Sequence, residues 1–168
     1  MKKKKSGYHI CLEEKQKLRF YYDLTDKQLF RYIDKKKISL MGRILLLLQL
    51  LEMRLDRILL KLGISPNIFG TKKIINQGHV IINNYMVNLS TYCCIPGDVI
   101  NIIIKRKKIL IHGFITSIYI YHQIIPKYLT VDFLQYKGII NQIINEKIID
   151  LKIDDLFILE YYYYNAKL

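Results

Sequence analysis

Residues 51–102 decide the fold of this chain and read LEMRLDRILLKLGISPNIFGTKKIINQGHVIINNYMVNLSTYCCIPGDVINI. Apolar residues recur at helical spacing in the first half of this stretch, and they alternate as in strands in the second half. The first helix places Arg54, Arg57 and Lys61 on one face, beside an apolar face of leucines and isoleucines. Gly63 is expected to end this helix.

A second helix is predicted from about residue 68 to residue 77, with Lys72 and Lys73 on its outer face. Gly78 is expected to end it, because glycine readily adopts the left-handed backbone that terminates many helices. The sequence therefore predicts two consecutive basic helices.

A strand-like pattern begins in the chain directly after the second helix. Residues 79–83 alternate, which predicts a strand with valine and isoleucine side chains on one side. Asn83 and Asn84 are expected at a hairpin turn, because asparagine tolerates positive φ better than most residues. The chain returns over residues 86–89 and, after a Pro-Gly-Asp turn, forms a further strand over residues 99–104.

The segment before this unit is predicted to be helical. Residues 8–22 form one helix, which carries Lys15, Lys17 and Arg19. Another helix is expected from Arg43 onward and should lead into the central unit without a full break.

Between these two helices, Thr25 and Gln28 form a capping box, so a helix is predicted to begin at Thr25. Its packing face is expected to consist of Leu29, Phe30 and Ile33. Its cations lie on another face, at Lys27, Arg31 and Lys35.

The pattern is weaker after the central unit. Residues 129–133 are predicted to form a short strand, and residues 134–145 an irregular or helical stretch. Residues 156–163 are rich in aromatic and branched side chains, which predicts a terminal strand. The apolar runs at residues 44–51 and 109–125 fall short of the roughly 20 residues that a membrane-spanning helix needs, so no membrane association is expected.

The charge of the chain indicates a polyanionic partner. Its 168 residues include 27 Lys+Arg against 14 Asp+Glu, which gives a formal net charge of +13. Nucleic acid is the first candidate for that partner and an anionic membrane the second. The hydrophobic content of 51% argues against a disordered basic tail, because it supplies ample apolar surface to bury.

The titratable residues do not form a pattern typical of an enzyme. The four histidines are scattered, at His9, His79, His112 and His122, and there is no Gly-rich phosphate-binding loop. The three cysteines have neither zinc-site spacing nor a disulfide framework, which predicts free thiols in a reducing compartment. We therefore expect no catalytic activity, no cofactor and no metal.

Three motifs in the central stretch resemble the RNA-binding module of the ribosomal protein S4 family: LEMRLD, GTKKIINQGHVIIN and PGDVI. The segment LEEKQKLRFYYDLTDKQLFRYI is similar to the N-terminal helices of that family, especially its plastid members. The segments LQYKGIINQII and ILEYYYY resemble its C-terminal part. The resemblance covers nearly the whole chain in the expected order.

The resemblance implies an α+β fold, in which a helical domain carries an inserted module of two helices packed on a small antiparallel sheet. The expected parts are residues 1–50 for the N-terminal helices, 51–125 for the module and 126–168 for a segment that rejoins the helical domain. It also implies a structural role in the small ribosomal subunit. Such a protein binds small-subunit rRNA directly, nucleates assembly of the subunit body and contributes to translational accuracy.

The partners implied by the resemblance are small-subunit rRNA, the fifth small-subunit protein, and mRNA at the entry path. The abundance of residues with A- and T-rich codons fits a reduced organelle genome, so a plastid ribosome of apicoplast-like type is expected, with a mitochondrial ribosome as the alternative. The family usually carries a longer N-terminal arm, whose contacts are expected to be missing here or taken over by other groups.

The resemblance carries RNA contacts over to Arg54, Arg57, Lys72 and His79. The residues themselves add further candidates for RNA binding: Lys61, Lys73, Asn83, Asn84, Lys15, Lys17 and Arg19. Tyr85 can stack on a base or cover the turn. The chain departs from the family where Lys72 and Cys93 replace arginine and Asn84 replaces glycine. Removing Arg54 and Arg57 together is expected to weaken RNA binding and to leave the fold intact.

Two other classes of protein carry the same module. A pseudouridine synthase would need a large catalytic domain with a positioned aspartate, and the chain has no spare length for one. A small ribosome-rescue or heat-shock factor would lack the N-terminal and C-terminal segments quoted above. Both remain alternatives to the ribosomal protein.

Overall fold

A computed structural model describes residues 7–34, 43–103, 125–132, 135–144, 154, 156–158 and 160–161. Its helices are α1 (Gly7–Tyr21), α2 (Asp26–Asp34), α3 (Arg43–Glu52), α4 (Leu55–Lys61) and α5 (Ile68–Asn76). Its strands are β1 (Val80–Ile82), β2 (Tyr85–Met86), β3 (Val99–Ile102), β4 (Leu129–Asp132) and β5 (Lys137–Ile140). The predictions that concern Lys35, residue 104, His112, His122 and the apolar run at 109–124 lie outside these residues.

The chain divides into two compact units. One comprises residues 1–48 with 149–168, and the other comprises residues 49–148. The third part expected from the sequence, residues 126–168, is therefore shared between the units. The physical reason is that β5 pairs with β3 and β4 pairs with β5, so both strands belong to the sheet of the second unit.

The first unit begins with two helices joined by the predicted capping box. The Thr25 amide donates to Gln28 Oε1 over 3.0 Å, and the Gln28 amide donates to Thr25 Oγ1 over 3.3 Å. Leu29 is fully buried as predicted, whereas Phe30 is 50% exposed, so its assignment to the packing face is wrong. The helical register places Phe30 one position beyond the buried stripe.

The described part of the C-terminal segment is helical at residues 156–158 and 160–161, so the prediction of a terminal strand there is wrong. Strand propensity is overridden by packing, since Ile158 is buried and Tyr161 contacts the first helix. The ring centroid of Tyr161 lies 6.0 Å from that of Tyr8.

The second unit contains a five-stranded antiparallel sheet in the order β2-β1-β3-β5-β4. Val80 and Ile82 are buried and Ile81 is half-buried, which confirms the predicted alternation. The turn is also confirmed, with φ of 48° at Asn83 and 73° at Asn84. The fold class of α+β is therefore as expected.

Strand β5 is the element that the sequence prediction missed, because residues 134–145 were expected to be irregular or helical. Gly138 weakens the strand signal, since glycine is depleted in strands. A Cβ at Gly138 would lie 2.8 Å from Leu62 Cδ1, just after α4. The glycine therefore permits the close approach of the helical layer to the sheet.

We expect Gly138→Ala to lower the free energy of unfolding by about 1 kcal/mol or more, because Leu62 must move to make room for the methyl group. Urea denaturation would measure this change. Gly7→Ala is the matched control, since a Cβ at Gly7 meets nothing within 4 Å. A Gly138→Ala protein as stable as the control would contradict the close contact.

Candidate nucleic-acid interface

The central helices are separated by a break at Met53 and Arg54. Arg54 has φ of −68° and ψ of 143°, which is extended backbone, and α4 begins only after it. The first helix of the module was expected to include residue 51 and to follow the preceding helix without a full break. Both expectations are wrong, because residue 51 belongs to α3 and α4 begins at Leu55. Apolar periodicity continues across the break, which is why the sequence did not reveal it.

The break is stabilised by the 90–94 loop, which pairs with residues 53–56. Arg54 forms a β-bridge with Cys93. The Leu55 amide donates to the Tyr92 carbonyl over 2.9 Å, and the Asp56 amide donates to the Ser90 carbonyl over 3.3 Å. These loop carbonyls accept from amides that a helix N-terminus otherwise leaves unpaired, so this end of α4 is not an open phosphate site.

Arg54 and Arg57 are buried in ion pairs. Arg54 is 1% exposed and Arg57 is 4% exposed. Arg54 Nε lies 3.1 Å from Asp56 Oδ1 and its Nη2 lies 2.5 Å from Asp56 Oδ2, while Arg57 Nη2 lies 3.3 Å from Glu52 Oε1. The two arginines therefore do not form an exposed basic face in this structure, and their contact with RNA stays a prediction. Spacing alone placed them on one face, and the nearby carboxylates neutralise it.

The other candidates of the module differ in exposure. Lys73, in the last turn of α5, and Asn84, in the hairpin turn, are exposed. Lys61, Lys72 and His79 are half-buried. Lys61 is the last residue of α4, Lys72 and Lys73 lie on α5, and His79 directly precedes β1. This surface retains cations after the two arginines are discounted.

Asn83 holds the hairpin turn. Its Nδ2 donates to Asp98 Oδ1 over 2.7 Å, and its Oδ1 accepts from the Val99 amide over 2.9 Å. Asp98 is 3% exposed and also accepts from the Ile95 amide over 2.9 Å. The Asn83 side chain thus has a structural role, which explains why the turn needs asparagine there, and its contact with RNA stays a prediction.

Three large apolar or aromatic side chains of this part of the module are exposed. Met86 and Phe69 were not among the predicted RNA contacts, and Tyr85 was left open between stacking on a base and covering the turn. Tyr85 is 78% exposed, Met86 is 59% exposed and Phe69 is 68% exposed. Met86 Sδ lies 3.1 Å from the position of a Cβ at Gly78, so the hairpin lies over the end of α5. Of these three side chains, only Tyr85 was considered as a contact, because it follows the two turn asparagines.

The three predicted cations of α1 are all paired with carboxylates. Lys15 Nζ lies 2.7 Å from Asp26 Oδ1, Arg19 Nη1 lies 2.7 Å from Asp26 Oδ2, and Lys17 pairs with Glu14. Lys15 is buried, and its Nζ lies 4.7 Å from the centroid of the Tyr161 ring. The charge of Lys15 is therefore used inside the first unit, and its contact with RNA stays a prediction.

The Lys15–Asp26 pair shifts the pKa values of both its partners. The hydrogen bond from Lys15, followed by the charges of Lys15 and Arg19, lowers the pKa of Asp26 below 3.8. Burial alone would lower the pKa of Lys15, but the hydrogen bonds with Asp26 and Tyr161 outweigh burial and raise it above 10.5. The pair is therefore charged throughout the neutral range.

No cysteine of the described residues is in a disulfide, as expected: Cys11 and Cys94 are buried and Cys93 is exposed. Burial, followed by the charge of Asp98, raises the pKa of the Cys94 thiol well above its usual range. Within the described residues there is no group of histidine, cysteine and carboxylate side chains able to bind a metal. No helix among them is long and apolar enough to cross a membrane.

Comparison with known proteins divides the chain at the same break. Residues 1–52 match the model of the ribosomal protein S4/S9 N-terminal domain, and residues 53–100 match that of the S4 domain. The chain is 48% identical over 163 residues to small ribosomal subunit protein uS4c of Trimezia steyermarkii, covering 95% of this chain and 81% of the relative. It is 47% identical over 160 residues to the protein of the same name from Dioscorea elephantipes, covering 95% and 79%.

We expect Arg54→Ala to lower the free energy of unfolding by about 3–5 kcal/mol, because it leaves the buried Asp56 carboxylate without its cation. Urea denaturation of the purified chain would measure the loss. Lys73→Ala, at an exposed site, is the control and should stay within about 0.5 kcal/mol of the wild type. Equal stabilities for the two variants would rule out a structural role for the pair.

The Asp26 pair predicts a pH-dependent stability. Since its folded-state pKa is lowered, its contribution is complete above the ordinary value of 3.8 and disappears as pH falls through the folded-state pKa. Asp26→Asn should therefore unfold more easily than the wild type at neutral pH, by up to about 1 kcal/mol, and the difference should vanish in stronger acid. Lys15→Met, which removes the partner, should change the acid limb in the same way. A difference that persists below the folded-state pKa would disprove the coupling.

Proposed function

Because the chain belongs to the family of small ribosomal subunit protein uS4c, we propose that α5 and the β1–β2 hairpin form the surface of its module that contacts rRNA. The support is the exposure of Lys73 on α5 and of Asn84 and Tyr85 at the hairpin, together with the approach of the hairpin residue Met86 to Gly78 at the end of α5.

Membership in the family fixes the general role of the chain. It is a structural, rRNA-binding component of the small ribosomal subunit, of the plastid type, and it is not an enzyme. The alternatives of a pseudouridine synthase and a ribosome-rescue factor are not supported, because the matching relatives are ribosomal proteins over 95% of the chain.

The chemistry of the proposed surface fits folded RNA. Lysine ammonium groups attract phosphate oxygens, and the amide of Asn84 can donate to and accept from 2′-hydroxyls and base edges. The tyrosine ring offers a flat face for an unpaired base. Such a surface recognises the shape and charge of an RNA junction and makes little use of Watson–Crick edges.

We further propose the finer roles that the family resemblance implies. The chain would bind early at a multi-helix junction of the subunit body, nucleate its assembly, and lie beside the fifth small-subunit protein near the mRNA entry path, where it would influence decoding accuracy. An apicoplast-like ribosome is the proposed setting within the plastid type. The bias of the chain toward isoleucine, lysine, asparagine and tyrosine supports an A- and T-rich organelle genome.

The proposal is tested by titrating a full-length plastid small-subunit rRNA transcript with the purified chain at several salt concentrations, in the presence of an unrelated structured RNA. The wild type should prefer the rRNA over the competitor. Lys73→Gln should reduce the slope of log affinity against log salt by about 1, because one phosphate contact is lost.

Lys127→Gln is the matched control, because Lys127 is also exposed but precedes β4, at the opposite edge of the sheet from β2. Its salt slope should equal that of the wild type. Identical slopes for Lys73→Gln and the wild type, or an equal loss in Lys127→Gln, would refute the proposed surface. Binding with no preference for rRNA would refute the role of a primary rRNA binder.

A further inference from the structure

The 90–94 loop carries two adjacent cysteines in opposite surroundings. Cys93 is exposed, whereas Cys94 is only 1% exposed. The β-bridge between Arg54 and Cys93 shows that the loop is extended there, and successive side chains of an extended segment point to opposite faces. The Sγ atom of Cys93 lies 4.0 Å from the Cys94 carbonyl oxygen. The two thiol side chains therefore point apart while the loop is paired with residues 53–56.

A disulfide between these two cysteines requires a different backbone. In ordinary disulfides the two Cβ atoms lie about 3.5–4.5 Å apart, so both must face the same side of the chain. The Cα atoms of neighbouring residues are only about 3.8 Å apart, closer than the roughly 4.4–6.8 Å that a disulfide usually spans. Closing the bond would therefore turn the peptide unit between Cys93 and Cys94 and draw Cys94 out of the interior.

That movement would break the pairing of the loop with the start of α4. The Cys94 amide donates to the Met53 carbonyl over 2.9 Å, and the Leu55 amide donates to the Tyr92 carbonyl over 2.9 Å. These two hydrogen bonds lie on either side of Cys93. Turning the peptide unit removes the first bond and leaves a buried carbonyl without its donor, which is costly. The closed loop and the disulfide therefore exclude each other.

We infer that Cys93 and Cys94 form a redox switch, in which the reduced thiols allow the 90–94 loop to close on residues 53–56 and a disulfide between them holds the loop open. The switch goes beyond the proposed function, and it does not depend on which surface of the module contacts rRNA. Its oxidant is a low-molecular-weight disulfide such as oxidised glutathione.

The reaction consists of two thiol–disulfide exchanges. The Cys93 thiolate first attacks a sulfur of the small disulfide, which forms a mixed disulfide on Cys93 and releases one small thiol. The Cys94 thiolate then attacks Cys93 Sγ, which forms the internal disulfide and releases the second small thiol. The two protein thiols lose two electrons, and the small disulfide gains them and takes up the two protons.

Burial sets the order of the two exchanges. Cys93 is exposed, so it can react while the loop is closed. Burial, followed by the charge of Asp98, raises the pKa of the Cys94 thiol, and only a thiolate attacks a disulfide. The second exchange therefore requires the loop to open. Because coupling is reciprocal, the disulfide then favours the open loop as strongly as the closed loop disfavours the disulfide.

The first experiment follows the oxidation of the full chain in oxidised glutathione, with alkylation of the remaining thiols and mass spectrometry of proteolytic fragments. Without urea, the product should be the mixed disulfide on Cys93. In urea below the unfolding midpoint, the internal disulfide should form at least about tenfold faster, because local opening exposes Cys94. An internal disulfide that forms equally fast without urea would overturn the inference, as would a disulfide that joins either cysteine to Cys11.

The second experiment compares the oxidised and reduced forms of the same chain. In the oxidised wild type, the Cys94 and Leu55 amides should exchange with deuterium faster than in the reduced form, and the urea midpoint should be lower. A reducing agent should restore both values. Unchanged exchange at these two amides in the oxidised chain would show that the disulfide does not open the loop.

Two variants serve as controls. Cys93→Ser, at the exposed position, should keep the urea midpoint of the reduced wild type and should not change when the oxidant is added. Cys11→Ala, in the other unit, should keep the full difference between the oxidised and reduced forms. If Cys93→Ser loses as much stability in the oxidant as the wild type does, the switch is disproved. Neither experiment contains RNA, so the proposed function can fail without affecting their result.

Discussion

The pairing of residues 53–56 with the 90–94 loop is the contact on which the arrangement of the second unit depends. It separates α3 from α4 and satisfies amides at the start of α4, including that of Leu55, which donates to the Tyr92 carbonyl over 2.9 Å. It also encloses the Arg54–Asp56 ion pair, whose side chains are 1% and 0% exposed. Breaking a buried pair leaves an uncompensated charge, so the separation of the two helices is strongly favoured over a continuous helix.

The net charge of the chain indicates its partner but does not show which cations reach it. Lys15 and Arg54 are buried against carboxylates, while Lys27 and Lys73 are exposed. All four have the same formal charge and all lie in helical patterns or at their edges. An arginine that is paired with a buried carboxylate helps to hold the backbone in place. An exposed lysine can neutralise an RNA phosphate, and the counterions released then favour binding. The distinction depends on contacts between residues, which composition and spacing do not contain.

Structural features that depend on neighbouring residues were predicted correctly from the sequence, whereas features that depend on tertiary packing were not. The capping box at Thr25 and the turn at Asn83 are set by neighbouring residues, and both are confirmed. Strand β5 depends on its partner β3 and on a glycine that admits Leu62, and the sequence signal for it was too weak. The module and its family were identified from motifs, and Asp56 in the RLD motif is of a type that pairs with a neighbouring arginine, whereas the depth at which Arg54 is buried depends on tertiary packing.

In the hairpin, a buried carboxylate orders the surface that we propose to bind RNA. Asp98 lies inside the unit, yet it fixes Asn83, which in turn accepts from the Val99 amide and holds both positive-φ positions of the turn. The exposed Asn84 and Tyr85 are thereby presented on a backbone that is already ordered. Binding to a preorganised turn avoids part of the conformational entropy that a flexible loop would lose. The oxygens of the Asp98 carboxylate accept from Asn83 and from the Ile95 amide, so the acid acts on this surface from inside the unit.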